Sequence, residues 1–98
     1  MSIYYIGTYD IHDPVAFAAY PPGVAELLPQ YGGELLAADT QPRVVEGTAR
    51  TMNALIEFPS FEAALSLYND PVYQPLKRLR LAATSNGTML LVARAPRP

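Results

Sequence analysis

A few charged side chains in a mostly apolar chain are the candidates for chemistry. Glu57 stands between Ile56 and Phe58, near the end of a predicted strand. Burial there would favour the protonated form of its carboxyl group and suit it to proton transfer. The alternative is a structural carboxylate neutralised by Arg80 or another cation, because buried acids are usually paired. Glu57 is therefore predicted either as a catalytic acid–base or as half of an ion pair.

Arg80 and a set of tyrosines are the candidates for ligand binding. The guanidinium of Arg80 could hold a carboxylate substrate through two parallel hydrogen bonds, or could be the internal ion-pair partner. Lys77 and Arg78 are predicted on a solvated helix face. Four tyrosines could line an aromatic pocket with their hydroxyls directed at a ligand: Tyr5, Tyr20, Tyr68 and Tyr73. Core packing explains such an aromatic stripe about as well, and it explains Tyr68 better.

His12 is the one histidine of the chain and follows the first predicted strand. Beside Asp10 and Asp13 it could act as a general base or a metal ligand, although a lone histidine in a loop commonly has no such role. With one histidine and no cysteine, we expect no buried transition-metal site. No phosphate-binding glycine loop or dinucleotide fingerprint occurs, so we expect no cofactor.

Four strands are predicted from residue type and alternation. β-branched and aromatic residues are typical of the first strand, over 2–9. The others are predicted over 34–38 with a continuation at 43–46, over 52–58, and over 88–93 after a turn at Asn86-Gly87. A bulge or a sheet edge is expected near Pro42, since proline cannot donate a hydrogen bond to a neighbouring strand.

Two helical segments lie between these strands. The first begins at Asp13-Pro14, where aspartate can cap free amides and proline suits the first helical position. It ends at Gly32-Gly33. Because Tyr20-Pro21-Pro22-Gly23 lacks two amide donors, we expect a break there and two short pieces. The second segment begins after the cap Ser60 and starts again at Asp70-Pro71.

The resulting order, β-α-β-β-α-β, determines the predicted topology. Short connections and right-handed crossovers favour a four-stranded antiparallel sheet with its helices on one face. We therefore predict a single ferredoxin-like α+β domain spanning residues 1–98.

The strands are apolar on both faces, which predicts a partner. In the third strand Met52, Ala54, Ile56 and Phe58 share one face, yet Leu55 lies on the other. Helices can cover one face, and 98 residues leave too little chain for the second. We predict a homodimer that packs the two helix-free sheet faces together. The alternative is a monomer with an open, partly apolar groove that holds a ligand.

Motifs spread over nearly the whole chain occur in the order of a known family. They are Asp13-Pro14, Phe17, Tyr20, Tyr31-Gly32-Gly33, Glu46-Gly47, Glu57-Phe58-Pro59-Ser60, Tyr68, Tyr73-Gln74 and Arg80. By these motifs the chain resembles the domain-of-unknown-function 1330 family of the dimeric α/β-barrel superfamily. The resemblance implies a ferredoxin-like protomer whose sheet packs on the sheet of its twin. It implies no particular reaction, since relatives in the superfamily include monooxygenases, lactone isomerases, dehalogenases and binding proteins.

Composition narrows the class of partner. Half of the residues are apolar, 16% are charged and the net charge is −2, so neither nucleic acid nor an anionic membrane is a favoured partner. The predicted third strand lacks the basic-aromatic signature of RNA-binding domains. The start lacks the features of a secretory signal, and no apolar run reaches the roughly 20 residues of a membrane span. A cytoplasmic protein is the expectation.

Two functions fit these observations. One is a cofactor-independent enzyme acting on a small organic acid, an aromatic compound or a lactone-like metabolite, with Glu57, Tyr20 and His12 assisting proton movement and Tyr5, Tyr73 and Arg80 binding the ligand. The other is a non-catalytic module that binds a small ligand or only dimerises.

Overall fold

The computed structural model describes residues 2–97. Its elements, in chain order, are β1 (Ile3–Ile11), α1 (Pro14–Phe17), α2 (Tyr20–Leu27), a 3-10 turn (Leu28–Tyr31), β2 (Glu34–Asp39), β3 (Met52–Phe58), α3 (Phe61–Tyr68), α4 (Tyr73–Ala83) and β4 (Thr84–Ala93). The strands form one antiparallel sheet in the order β2-β3-β1-β4. The predicted ferredoxin-like α+β fold is confirmed.

The predicted helix starts are formed by short polar side chains. The Asp13 carboxylate accepts a hydrogen bond from the Ala16 amide at 3.1 Å, and the Ser60 hydroxyl accepts one from the Ala63 amide at 3.0 Å. Each contact satisfies an amide that has no partner within its helix. Asp70 accepts a hydrogen bond from the Val72 amide, so it shapes the turn before α4 rather than the helix itself.

The expected break in the first helical segment is present, but it precedes Tyr20. α1 ends at Phe17, and α2 begins at Tyr20 with prolines in its first turn. Amides in a first turn have no partner in the helix, so the missing N–H groups of these prolines cost little there. The segment then ends at Gly32, whose φ of 69° lies in the left-handed region.

Two predicted strand boundaries are wrong. Residues 43–46 do not continue β2, which ends at Asp39: the Asp39 carboxylate accepts the Gln41 amide at 2.8 Å and turns the chain away from the sheet. β4 begins at Thr84, so Asn86 and Gly87 lie inside the strand and not before it. Asn86 has a φ of 55°, near a register shift between β4 and β1.

The sheet has one face buried by helices and one without such cover. Ile3, Gly7 and Tyr9 of β1 are buried, with Ile56 and Phe58 of β3 on the same face. On the opposite face Ile6 lies between Leu55 and Leu90 in the neighbouring strands. There Leu90 is 50% exposed and Val92 is 41% exposed.

Candidate functional site

Two tyrosines far apart in sequence meet beneath the sheet. Tyr20 begins α2 and Tyr73 begins α4, and their hydroxyl oxygens lie 2.7 Å apart in a buried hydrogen bond. Their rings pack edge to face with centroids 6.3 Å apart. One hydroxyl donates to the other, so the pair keeps one hydroxyl hydrogen free for another acceptor.

Arg80 is buried behind this pair. The residue is 4% exposed, and its guanidinium carbon lies 5.9 Å from the ring centroid of Tyr20 and 6.0 Å from that of Tyr9. Both distances are at the outer limit of a cation–π contact. Its Nε atom has no hydrogen-bond partner among residues 2–97.

Tyr5 completes the group from β1. Its ring lies over Gly7: a Cβ atom added to Gly7 would come within 2.9 Å of both the Tyr5 hydroxyl and the ring. Glycine at this position therefore leaves the ring the space to lie along the strand. Within residues 2–97, the Tyr5 hydroxyl has no hydrogen-bond partner.

These tyrosines line two adjacent cavities between the sheet and the helices. One, of about 240 Å³, extends toward α3 and β4, and the other, of about 370 Å³, extends toward β2. Both are bounded by the same five residues: Tyr5, Tyr20, Val24, Leu28 and Ile56. Tyr73 lines the smaller cavity only, and Arg80 lines neither. The walls are mainly apolar, the composition typical of small-molecule sites; the polar side chains among them are the tyrosines and, in the larger cavity, Glu34.

Burial keeps the hydroxyls protonated. Desolvation, with a further contribution from Tyr73, raises the pKa of Tyr5 and of Tyr20 well above the ordinary 10.0. Desolvation also raises the pKa of Tyr9 to about 12, although the charge of Arg80 acts in the opposite direction. At neutral pH these groups are hydrogen-bond donors and not bases.

The structure does not bring Glu57 or His12 to this site. Glu57 pairs with Tyr4 in β1 and with Glu34 in β2, so it lies on the face opposite to Tyr5. The predicted Glu57–Arg80 ion pair is therefore wrong; the ion pair found within residues 2–97 joins Asp10 to Arg50 at 3.1 Å. His12 is exposed after β1 and is held by its backbone amide, which donates to the Ala83 carbonyl.

Four of the six residues assigned to a site thus lie together: Tyr5, Tyr20, Tyr73 and Arg80. The further pocket candidate Tyr68 lines the smaller cavity. Sequence reasoning missed Tyr9, which contacts Arg80 and lines the larger cavity. Its signal was the two-residue alternation that places it on the same face as Tyr5.

The described part of the chain has neither a cluster of metal ligands nor a membrane-spanning helix. Between residues 2 and 97, no three histidine, aspartate or glutamate side chains lie together as a metal site requires. No helix in that range has the length and apolar character needed to cross a membrane.

Comparison with known proteins identifies the family. A sequence model of the family described as domain of unknown function (DUF1330) matches residues 2–95. The chain belongs to this family. None of the curated proteins compared with it shows significant sequence similarity.

Solved structures support the fold. A protein of unknown function from Rhodopseudomonas palustris is 17% identical with a TM-score of 0.82, over 98% of this chain and 84% of that one. A dimeric ferredoxin-like protein of unknown function from Jannaschia sp. CCS1 is 12% identical with a TM-score of 0.80, over 96% and 100%. SnoaB, a cofactor-independent oxygenase from Streptomyces nogalater, is 13% identical with a TM-score of 0.67, over 98% and 95%. At these identities the likeness concerns the fold alone.

Proposed function

We propose that this protein is a homodimer in which each protomer binds a small, mainly apolar ring compound in the tyrosine-lined cavities. The observation that carries the proposal is the hydroxyl group of Tyr5, which has no protein partner found in residues 2–97 and belongs to a residue that lines both cavities. The Tyr5 side chain is half-buried and borders both cavities, so its hydroxyl hydrogen is free to be donated to a ligand there. A ligand oxygen is the matching acceptor.

The size and polarity of the cavities define the ligand. Their volumes, about 240 and 370 Å³, lie near the lower end of the range for small-molecule pockets, about 300 to 1,000 Å³. A compound of one to three fused rings with an oxygen substituent fits this description. Tyr5, Tyr20 and Tyr73 are proposed as its contacts, with no part for Glu57 or His12.

Dimerisation is proposed through the helix-free face of the sheet. Leu55, Leu90 and Val92 surround Ile6 and Tyr4 on that face, and contiguous exposed apolar surface marks an interaction site. A structural neighbour described as dimeric supports the second copy as the partner. Sedimentation is expected to give a mass near twice 10.7 kDa at micromolar concentration. A single-chain mass there would contradict this part of the proposal.

A second candidate, a cofactor-independent oxygenase, is favoured by two neighbours described as a cofactor-independent oxygenase and as an antibiotic biosynthesis monooxygenase. In such a reaction a CH₂ group of the substrate reacts with dioxygen. The carbon keeps one oxygen atom as a carbonyl group, and the other oxygen atom leaves as water. The substrate supplies the electrons, so no further reductant is needed. The hydroxyl donors would stabilise the oxyanion of the substrate. Oxygen uptake with a bound phenolic substrate, equal to the amount of product, is the expected signature.

The binding proposal is tested with adjacent tyrosines on opposite faces. Calorimetry with phenol-type ring compounds is expected to give saturable binding, one site per protomer. Tyr5→Phe, which removes the free hydroxyl, should weaken binding by about tenfold, the loss of one hydrogen bond to a ligand. Tyr4→Phe is the matched control and should leave affinity unchanged. An equal effect of both variants, or no effect of Tyr5→Phe, would contradict the assigned site.

A further inference from the structure

Arg80 is a buried cation without a carboxylate against it in the described chain. The groups that face it are phenols: Tyr5 and Tyr9 from β1, Tyr20 from α2, and Tyr73 on its own helix. Further along, Tyr68 of α3 carries Lys77 over its ring, with the Nζ atom 4.6 Å from the centroid. Buried charges are normally paired with an opposite charge. None of these neighbours is a carboxylate.

The charge of Arg80 reaches the cavities through the tyrosines. Arg80 lines neither cavity, but Tyr20 lines both and has the guanidinium at 5.9 Å from its ring. The hydroxyl of Tyr20 is in turn hydrogen-bonded to that of Tyr73. In a site of low dielectric constant, a fixed positive charge favours an anion even without direct contact. The missing counter-charge can therefore be supplied by a ligand on the other side of the tyrosines.

We propose that, given the ligand site proposed above, the smaller cavity, which Tyr5, Tyr20 and Tyr73 all line, binds the deprotonated form of a weakly acidic hydroxyl compound, a phenolate or enolate, and that Arg80 is the positioning residue that selects this anion. The Tyr5 hydroxyl and the free hydroxyl hydrogen of the Tyr20–Tyr73 pair receive the ligand oxygen. The positive charge of Arg80, on the far side of the tyrosines from the cavity, balances the negative charge of the ligand.

The number of donors favours a phenolate over a carboxylate. The three hydroxyls supply two free hydrogens, because one is used within the Tyr20–Tyr73 pair. Two donors suit a single oxygen atom, whereas a carboxylate has about four acceptor sites on two oxygens. A phenolate also spreads its charge into a ring, which lowers the cost of removing it from water into apolar walls.

The test uses the colour change of 4-nitrophenol, whose anion absorbs visible light and whose neutral form does not. Bound to the wild-type protein, the probe is expected to ionise at a pH at least about one unit below that of the free probe, a tenfold preference for the anion. Arg80→Met should abolish this preference while the neutral analogue nitrobenzene still binds. Arg80→Lys, which retains the charge, should keep part of the preference. Arg78→Met, an exposed arginine on the same helix, is the matched control and should change neither property.

Each outcome has a defined consequence. If Arg80→Met does not fold, the ionisation pH of bound 4-nitrophenol is compared between Arg80→Lys and the wild type. An ionisation pH in the wild type equal to that of the free probe overturns the inference. Tighter binding of 4-nitrobenzoate than of 4-nitrophenolate would overturn the choice of anion. If nitrobenzene binds but the anion is not preferred, the inference fails and the binding proposal stands. If none of the three probes binds, both fail.

Discussion

The two faces of the sheet are built from the same strands but differ in what covers them. Tyr4 and Tyr5 are neighbours in β1 and point to opposite sides. Tyr5 lies under helices, over Gly7 and beside two cavities, whereas Tyr4 lies between Glu57 and Val92 on the face without helices. One face thus holds an interior with unpaired polar groups, and the other holds an apolar surface with charged residues among its neighbours.

This difference corresponds to the two proposed functions of the chain, ligand binding and dimerisation. The covered face has apolar walls, free hydroxyl donors and a buried cation, which are features of ligand recognition. The uncovered face has exposed Leu90 and Val92, which are features of an association surface. Substitutions on one face should therefore change one property and leave the other intact.

The largest effect is expected from a charge at the centre of the uncovered face. Ile6 lies between Leu55 and Leu90, so Ile6→Asp would bury an unpaired carboxylate in the proposed interface. A cost of at least about 3 kcal/mol should weaken dimerisation by about a hundredfold or more. Sedimentation equilibrium measures the dissociation constant.

The matched control for Ile6→Asp is Leu81→Asp on α4, where the leucine is exposed. This variant should remain dimeric, since it adds the same charge away from the sheet. Dissociation by both variants would show that net charge and not the sheet face governs association. Circular dichroism at the working concentration establishes that each variant is folded.

Alkaline pH should lower the stability of the fold through Tyr9 on the covered face. The pKa of Tyr9 is raised to about 12 from 10.0, so above pH 10 the unfolded chain releases a proton that the folded chain keeps. Stability is therefore complete below pH 10 and is lost as the pH rises toward 12. The loss is about 2 kcal/mol for this residue at the upper end. Tyr9→Phe should flatten this part of the stability curve in urea titrations; an unchanged slope would contradict the assignment.

A smaller effect is expected from the glycine beneath Tyr5. Gly7→Ala places a methyl group 2.9 Å from the Tyr5 ring, which must move away from the strand. We expect an affinity loss of about tenfold for phenolic probes, comparable to removal of the hydrogen bond, with the dimer intact. Gly87→Ala, whose Cβ would meet Tyr9 at an ordinary 3.7 Å, is the control with unchanged affinity. Equal losses in the two variants would refute a specific role for Tyr5.

The smallest effect is expected for the acid stability contributed by Asp10, which lies outside the cavities. Hydrogen bonds from Asn86 and from the Thr51 amide, with that of Arg50, hold the pKa of Asp10 below its ordinary 3.8. Stability from this group is present above pH 3.8 and is lost as the pH falls through the lowered value. Asp10→Asn should reduce the fall of the thermal midpoint in that window. A steeper fall in the variant would contradict the sign.

The order of elements could be predicted because each has a local signal. Asp13 and Ser60 predict helix starts because their side chains can accept a hydrogen bond from the backbone amide three residues later. Both hydrogen bonds are present in the structure. Strand boundaries that depend on pairing with another strand could not be predicted from local sequence. Residue Thr84 belongs to β4 because it pairs with Ile11 of β1, and no local pattern indicates that pairing.

Part of the membership of the proposed site was predictable from the sequence, but its arrangement was not. The hydrogen bond between Tyr20 and Tyr73 joins residues 53 apart in sequence, so its existence depends on how α2 and α4 pack. The position of Glu57 was available from alternation, since Ile56 and Phe58 flank it and lie on the helix side. Glu57 thus lies on the helix-free face, as the alternation of side chains along a strand requires.

The direct test of a division between the faces is the nuclear magnetic resonance spectrum of the protein with carbon-13 in the rings of its seven tyrosines. Addition of 4-nitrophenol should shift the signals of Tyr5, Tyr20 and Tyr73 and leave Tyr4 in place, while dilution below the dimer dissociation constant should shift Tyr4 and leave the other three. Movement of Tyr4 with the ligand, and no movement of Tyr5, would contradict the account.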